Sequence, residues 1–354
     1  MATDFDFDFD LENEGLRHET GAPAWGKGKK AAPSKKKKRQ ALGEKTNVED
    51  VLSDDDELFG DSPAGGKANG KSIEQTYQKL SQLEHILLRP DTYVGSIEKQ
   101  QQSLWILKNA LDASGEDADG SGHELEYRSV EIVPGLYKIF DEILVNACDH
   151  SVRDSSMNEL KVDFDVANSK ITVENNGKGI PVEMHKSEGV HVPELIFGHL
   201  LTSSNYDDGK KKLTGGRNGY GSKLTNIFSQ EFVIETCDGK GSQKRYRQTF
   251  SNNMKTIGKP VITKCLKKEN WTRVTFTPDL QKFGLESLTE TETMLLMKKR
   301  VVDAAGCLAK RKVKVYLDGD QLPIKSFQDY VNLYIGKPSD DNAVSRVYEK
   351  VNDR

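Results

Sequence analysis

The stretch Thr214-Gly215-Gly216-Arg217-Asn218-Gly219-Tyr220-Gly221-Ser222-Lys223, followed at once by Leu224, Ile227 and Phe228, constrains this chain more than any other feature. Glycines this close together leave backbone without Cβ atoms, and the apolar residues behind them are spaced for a helix. The reading is a glycine-rich loop feeding a helix amino terminus, where N–H groups and the helix dipole favour an anion. It is not a Walker A loop, because Lys223 follows Gly221-Ser222 rather than the glycine itself and no hydrophobic parallel strand leads in. Nor is it the GxGxxG of a dinucleotide fold. Gly216, Gly219 and Gly221 spell GxxGxG, a different phosphate cradle, with a flexible surface loop as the alternative.

Two further elements carry chemistry. A helix is predicted from about Gly135 to Arg153, with Phe140, Ile143, Leu144 and Ala147 as its buried stripe. At about 100° per residue, Glu142, Asn146 and Arg153 fall within about 40° of one another, away from Phe140, Leu144 and Ala147. That face is either simply solvated or functional. Asn146 favours function, since asparagine is a poor helix-interior residue unless its side chain has a task. A carboxylate there can serve as general base and an amide oxygen one turn on can coordinate Mg²⁺. The other element, Asn175-Asn176-Gly177-Lys178-Gly179-Ile180-Pro181, follows a strand. Its alternate glycines admit a flat ligand and Asn175 can both donate and accept, although an ordinary Asn-Gly turn fits the same residues.

Composition bounds the rest. Lys+Arg at 51 against Asp+Glu at 55 gives a net charge of −4, so no global basic field marks a nucleic-acid binder. The four cysteines (Cys148, Cys237, Cys265, Cys307) form no CxxC or Cys/His cluster, which speaks against a disulfide scaffold or a zinc site. No apolar run reaches membrane-spanning length, and no membrane partner is expected. Residues 1–71 alternate acidic and basic blocks with little to bury and are expected to be a disordered tail. Within it, Pro33 to Arg39 has the form of a nuclear-import signal, with a solvated charge run as the alternative; Ser53 and Ser62 are candidate kinase sites.

From Ser72 the pattern is globular: a short helix around Leu83, Ile86 and Leu87 stopped by Pro90, a turn at Tyr93-Val94-Gly95, and a polar loop at 112–123. A hairpin is predicted over 160–166 and 171–174, turning at Asn168-Ser169. Further strands are expected at 231–236, 244–250, 260–265 and 271–277, a long helix at about 289–310, and a last strand from Val313 to Leu317 turning at Asp318-Gly319-Asp320. Helices early in the chain and clustered antiparallel strands later point to an α+β sandwich.

ExxxN, then NxGxG, then GxxGxG, in this order, resembles the Bergerat (GHKL) ATP-binding fold of gyrase, the ninety-kilodalton heat-shock chaperones, histidine kinases and mismatch-repair proteins. The stretches Tyr77 to Lys79 with Leu83 to Tyr93, Val133 to Ala147, and Leu201 to Lys223 are closest to the eukaryotic type II DNA topoisomerase family. The resemblance covers 72–354 and implies a two-layer α/β sandwich binding ATP and Mg²⁺. It implies that Glu142 activates the attacking water, that Asn146 binds Mg²⁺, and that Asn175 takes the adenine-reading position with Thr272 as its supporting threonine. Ser203, Ser204 and Asn205 would contact ribose and phosphate. Arg153, Asn218, Gly219, Tyr220, Gly221 and Lys223 would surround the triphosphate, with Lys178, Gly216, Arg217 and Ser222 in the same nucleotide-binding set. His150 stands where the family usually has a further asparagine.

The family further implies double-stranded DNA as partner of the complete enzyme, a homodimer with an amino-terminal arm around Tyr77 crossing to the other subunit, and the nucleus as location. The domain reading is 1–71 tail, 72–336 ATPase domain, and 337–354 the start of a truncated transducer domain. The DNA-cleavage domains and the transducer lysine are not expected in this chain. Two alternatives stand beside a topoisomerase gate: another Bergerat ATPase, such as a chaperone or mismatch-repair protein, and a nucleotide-binding or dimerisation module without turnover.

Overall fold

The computed structural model describes residues 79–108, 124–200, 219–290, 292–336, 338–339 and 343–349. The basic run at 35–39, Ser53, Ser62, the arm at Tyr77 and the loop at 112–123 lie outside them, as do Ser203, Ser204, Asn205, Gly216, Arg217, Asn218 and the last five residues.

Local sequence explains the opening elements. Helix α1 (Gln82–Leu88) starts on a capping box in which Ser81 and Glu84 satisfy each other's backbone N–H groups, and it ends ahead of Pro90. The expected turn at Tyr93 is a single helical turn, α2 (Asp91–Val94). An antiparallel hairpin that the pattern did not reveal, β1 (Gln100–Leu107) with β2 (Leu125–Ile132), leads to α3 (Pro134–Arg153), which carries proline at its first position.

The main sheet holds β3 (Glu159–Asp165), β4 (Lys170–Asn176), β5 (Ser229–Asp238), β6 (Lys244–Ser251), β7 (Thr256–Ile257), β8 (Val261–Lys264), β9 (Asn270–Pro278), β10 (Lys314–Leu317) and β11 (Asp320–Gln321). Its order is β11-β10-β3-β4-β9-β5-β6-β7, with β8 also pairing β6. Both foreseen turns close hairpins, with Ser169 and the pair Asp318-Gly319 at positive φ. The strands are antiparallel throughout except that β10 runs parallel to β3, so the sheet is mixed. The helices are likewise not confined to the early part of the chain. Short α4 (Val192–Gly198) and α5 (Gly221–Ile227) precede β5, while α6 (Thr293–Leu308) and α7 (Phe327–Ile335) come late. Helix α6 is shorter than expected because the path tightens into 3₁₀ turns at Leu288–Glu290 and Ala309–Arg311. Residues 343–349 form no strand.

One face of this sheet is buried under helices. Register aligns Val162, Val173, Val274 and Ile234 across four strands, all buried, and Leu136, Ile139, Phe140, Ile143 and Leu144 of α3 join the same core. Each such side chain contributes about 1.5–3 kcal/mol by leaving water. Helix α6 adds Met297, Val301, Val302 and Ala305, and is tied to α3 by Arg300 Nε donating to Asp141 Oδ1 at 2.8 Å. The α+β sandwich is therefore the observed architecture.

Candidate functional site

A cleft of about 1330 Å³ opens between α3, the ends of β4 and β9, and the start of α5. Glu142, Asn146 and Arg153 all line it. The polar face of α3 is thus the wall of a cleft and not a face on the open surface.

Strand register builds the inner end. Two residues along from the apolar row, Asn175, Thr272 and Thr236 lie opposite one another on β4, β9 and β5, and period two places them on the same face. Asn175 is buried, with its amide donating to Asn176 O at 3.0 Å. The Thr236 hydroxyl donates to Trp271 O (2.9 Å), accepts from Ile180 N–H (2.9 Å) and meets Thr272 Oγ1 at 3.1 Å. Because the Thr236 proton is committed to a carbonyl, Thr272 supplies the proton in that contact and its oxygen keeps acceptor capacity. Ile143, Ala147, Val173, Ile180 and Val274 surround these groups, giving an apolar slot with a few polar contacts, as a flat heterocycle requires.

The turn after β4 is held from α3. Asp154 accepts from Lys178 N–H (2.6 Å) and from Ser156 N–H and Oγ (2.9 Å each). Partial burial pushes this carboxyl up, but those hydrogen bonds outweigh it and hold Asp154 at about 2. Gly177 has φ +99°, and a Cβ there would meet Asp154 Oδ2 and His150 Nε2 at 2.8 and 2.9 Å. His150 lines the cleft with Nε2 3.5 Å from Asp154 Oδ2; burial lowers its pKa more than the carboxylate raises it, so the ring is neutral near pH 7. Lys178 lines the cleft by an exposed side chain.

At the outer end, Gly219, Tyr220, Gly221, Ser222 and Lys223 line the cleft where α5 begins. Gly219 takes φ +69°. Gly221 packs so closely on Glu142 Oε2 that a Cβ would overlap it, while Glu142 Oε1 pairs with Lys138 Nζ at 2.7 Å. The carboxylate is therefore held between a lysine and bare backbone. Lys223 is only 3% exposed, and burial lowers its ammonium to about 8. Tyr220 accepts from Gln82 Nε2 at 2.7 Å and packs against Tyr93, which joins α1 and α2 to this end.

Each predicted site residue within the described residues thus reaches one cleft. Those that sequence reasoning missed are Lys138, Asp154 and Thr236. Lys138 was discoverable, being spaced i,i+4 before Glu142 as helical ion pairs are. Thr236 carried no local signal.

Residues 131–282 match the family model described as Histidine kinase-, DNA gyrase B-, and HSP90-like ATPase. Fold and cleft together define an ATP-binding module of the Bergerat class. The chain is 58% identical over 290 residues to DNA topoisomerase 2 of Arabidopsis thaliana, covering 81% of this chain and 19% of the relative. To DNA topoisomerase 2 of Saccharomyces cerevisiae it is 50% identical over 264 residues, covering 75% and 17%. The solved ATPase region of Saccharomyces cerevisiae topoisomerase II superposes with TM-score 0.68 at 49% identity, covering 75% of this chain and 66% of that one. The chain belongs to the eukaryotic DNA topoisomerase II family, over its ATPase region. It spans about a fifth of the length of the curated relatives it matches.

Proposed function

We propose that this chain is the ATP-operated gate of a type II DNA topoisomerase, closing two subunits on each other so that one DNA segment passes another. The observation that carries the proposal is the convergence of Glu142, Asn146, Asn175, Thr272 and Gly219 to Lys223 on one cleft with an apolar inner end and a cationic outer end. Asn175 and Thr272 hold the base, Gly219 to Lys223 and Arg153 receive the phosphates, and Glu142 takes a proton from the attacking water. Lys138 and Gly221 orient that carboxylate. Ser203, Ser204, Asn205, Gly216, Arg217 and Asn218 complete the nucleotide set in this reading, and 72–336 is the domain that carries it.

The donor chemistry at the cleft suits Mg²⁺, because Asn146 offers a hard amide oxygen and this ion needs few protein ligands when phosphates and water supply the rest. When bound, Mg²⁺ neutralises charge on the phosphates. Double-stranded DNA, a second copy of the chain and a nuclear location belong to the same proposal. No helix among the described residues is long and apolar enough to cross a membrane.

Glu142→Gln tests the chemistry. The amide keeps size and hydrogen bonding but cannot accept the proton, so ATP binding should persist while turnover falls by about 10²–10⁴. Binding is read by titration calorimetry and turnover by phosphate release, on wild type and variant in parallel. Undiminished turnover in the variant would remove Glu142 from its role.

A further inference from the structure

Behind the sheet lies a second group of donors that the ATPase reading does not use. Cys237 Sγ, Cys265 Sγ and a Glu269 carboxylate oxygen all lie within 4.8 Å of one another, the one such group among the described residues. Period two turns Cys237 away from the face that carries Asn175, Thr272 and Thr236 and puts it in the row of Asn176, Trp271 and Arg245. The loop between β8 and β9 then brings the other two donors to it. Cys265 N–H is anchored on Gln243 O at 3.0 Å, Leu266 N–H on Glu269 Oε2 at 2.8 Å, and Gly239 N–H on Glu269 O at 3.0 Å. Gly239 has no room for a Cβ against Leu266 and Glu269. The donors are therefore held together before any ligand arrives.

Three converging groups of this kind select a ligand class. Thiolates are soft and exclude Mg²⁺ or Ca²⁺ as the preferred occupant, whereas Zn²⁺ takes sulfur and carboxylate oxygen together and tolerates three protein ligands with water as the fourth. A disulfide would use both sulfurs and leave Glu269 without a part. Glu269 is exposed, which gives a cation its entry, and the Arg245 guanidinium, stacked 5.2 Å over Trp271, offsets surplus negative charge. We propose that Cys237, Cys265 and Glu269 form a zinc-type site for a thiophilic divalent cation on the far side of the sheet from the nucleotide cleft.

Cation binding there displaces protons from the thiols, since the thiolate is the ligand. The site adjoins the cleft wall. The Cys237 carbonyl presses on Gly179, and the adjacent Thr236 holds Ile180 and Thr272. The spacing of the cysteines hid this grouping, because the expectation against a zinc site rested on the absence of CxxC.

The reduced, metal-free 354-residue chain is titrated with Zn²⁺ against a chromophoric chelator and, separately, with Co²⁺. One equivalent should bind, with thiolate-to-cobalt charge transfer and tetrahedral d–d bands, and Zn²⁺ should raise the melting temperature. Cys265→Ala, in the loop, should abolish all of this, and so should Cys237→Ala. Glu269→Gln should weaken binding by at least the roughly tenfold that losing a mere supporting group costs. Cys307→Ala, at an exposed cysteine elsewhere, should behave as wild type. Absence of metal binding in the wild type, binding that survives Cys265→Ala, or a peroxide-driven Cys237–Cys265 disulfide in a chain without metal affinity would each overturn the proposal.

Discussion

Replacing Lys223 by methionine should make the nucleotide-free chain gain stability, relative to wild type, at pH 7 compared with pH 10.5, and should weaken the ATP complex. Lys223 is 3% exposed, and burial lowers its ammonium from an ordinary lysine's 10.5 to about 8. The gap corresponds to a penalty on the charged form of about 3 kcal/mol. Between pH 8 and 10.5 the folded chain binds fewer protons at this position than the unfolded chain, so stability rises with pH across that window; below about pH 8 the penalty is present in full. Methionine keeps the unbranched stem and removes the charge. The stability of the variant relative to wild type should therefore be up to about 3 kcal/mol more favourable at pH 7 than at pH 10.5. A triphosphate at the start of α5 adds an anion for the ammonium to meet, and losing a charged hydrogen bond of this kind costs about 1.5–3 kcal/mol, or roughly 10–150-fold in affinity. Urea denaturation of wild type and variant at neutral and alkaline pH reads the first effect, and ATP titration reads the second. A variant whose stability relative to wild type is the same at neutral and alkaline pH, and which binds ATP normally, would refute the reasoning.

Asn146→Ala should weaken ATP binding in the presence of Mg²⁺ far more than in its absence, since it removes a hard oxygen; equal losses in the two titrations would end its metal assignment. Asp154→Ala should lower the melting temperature at neutral pH by freeing the turn at Lys178. Because hydrogen bonds hold Asp154 at about 2, below an ordinary carboxyl, that difference should be complete above about pH 4 and vanish as pH falls through about 2, as paired thermal melts can follow. Replacing Lys36, Lys37 and Lys38 with alanine should abolish nuclear accumulation of a reporter fused to residues 33–39, and unchanged imaging would return the run to a solvated charge block.

Short-range pattern carried much of this protein. The α3 stripe, the β3–β4 hairpin with its turn at Ser169, and the glycine run ahead of α5 each follow from residues a few positions apart, where periodicity and turn chemistry act. Helical spacing also put Glu142, Asn146 and Arg153 on one face. Whether that face lay on the open surface or lined a cleft depended on what stood across from it. Only the tertiary structure decided that, by setting Gly221 against Glu142 and Thr272 beside Asn175. The parallel β3–β10 pair, the Thr236 contact and the meeting of Cys237 with Cys265 and Glu269 join residues distant in sequence. Such contacts depend on strand order, and strand order is set by burial across the whole sheet, which no local window of sequence contains.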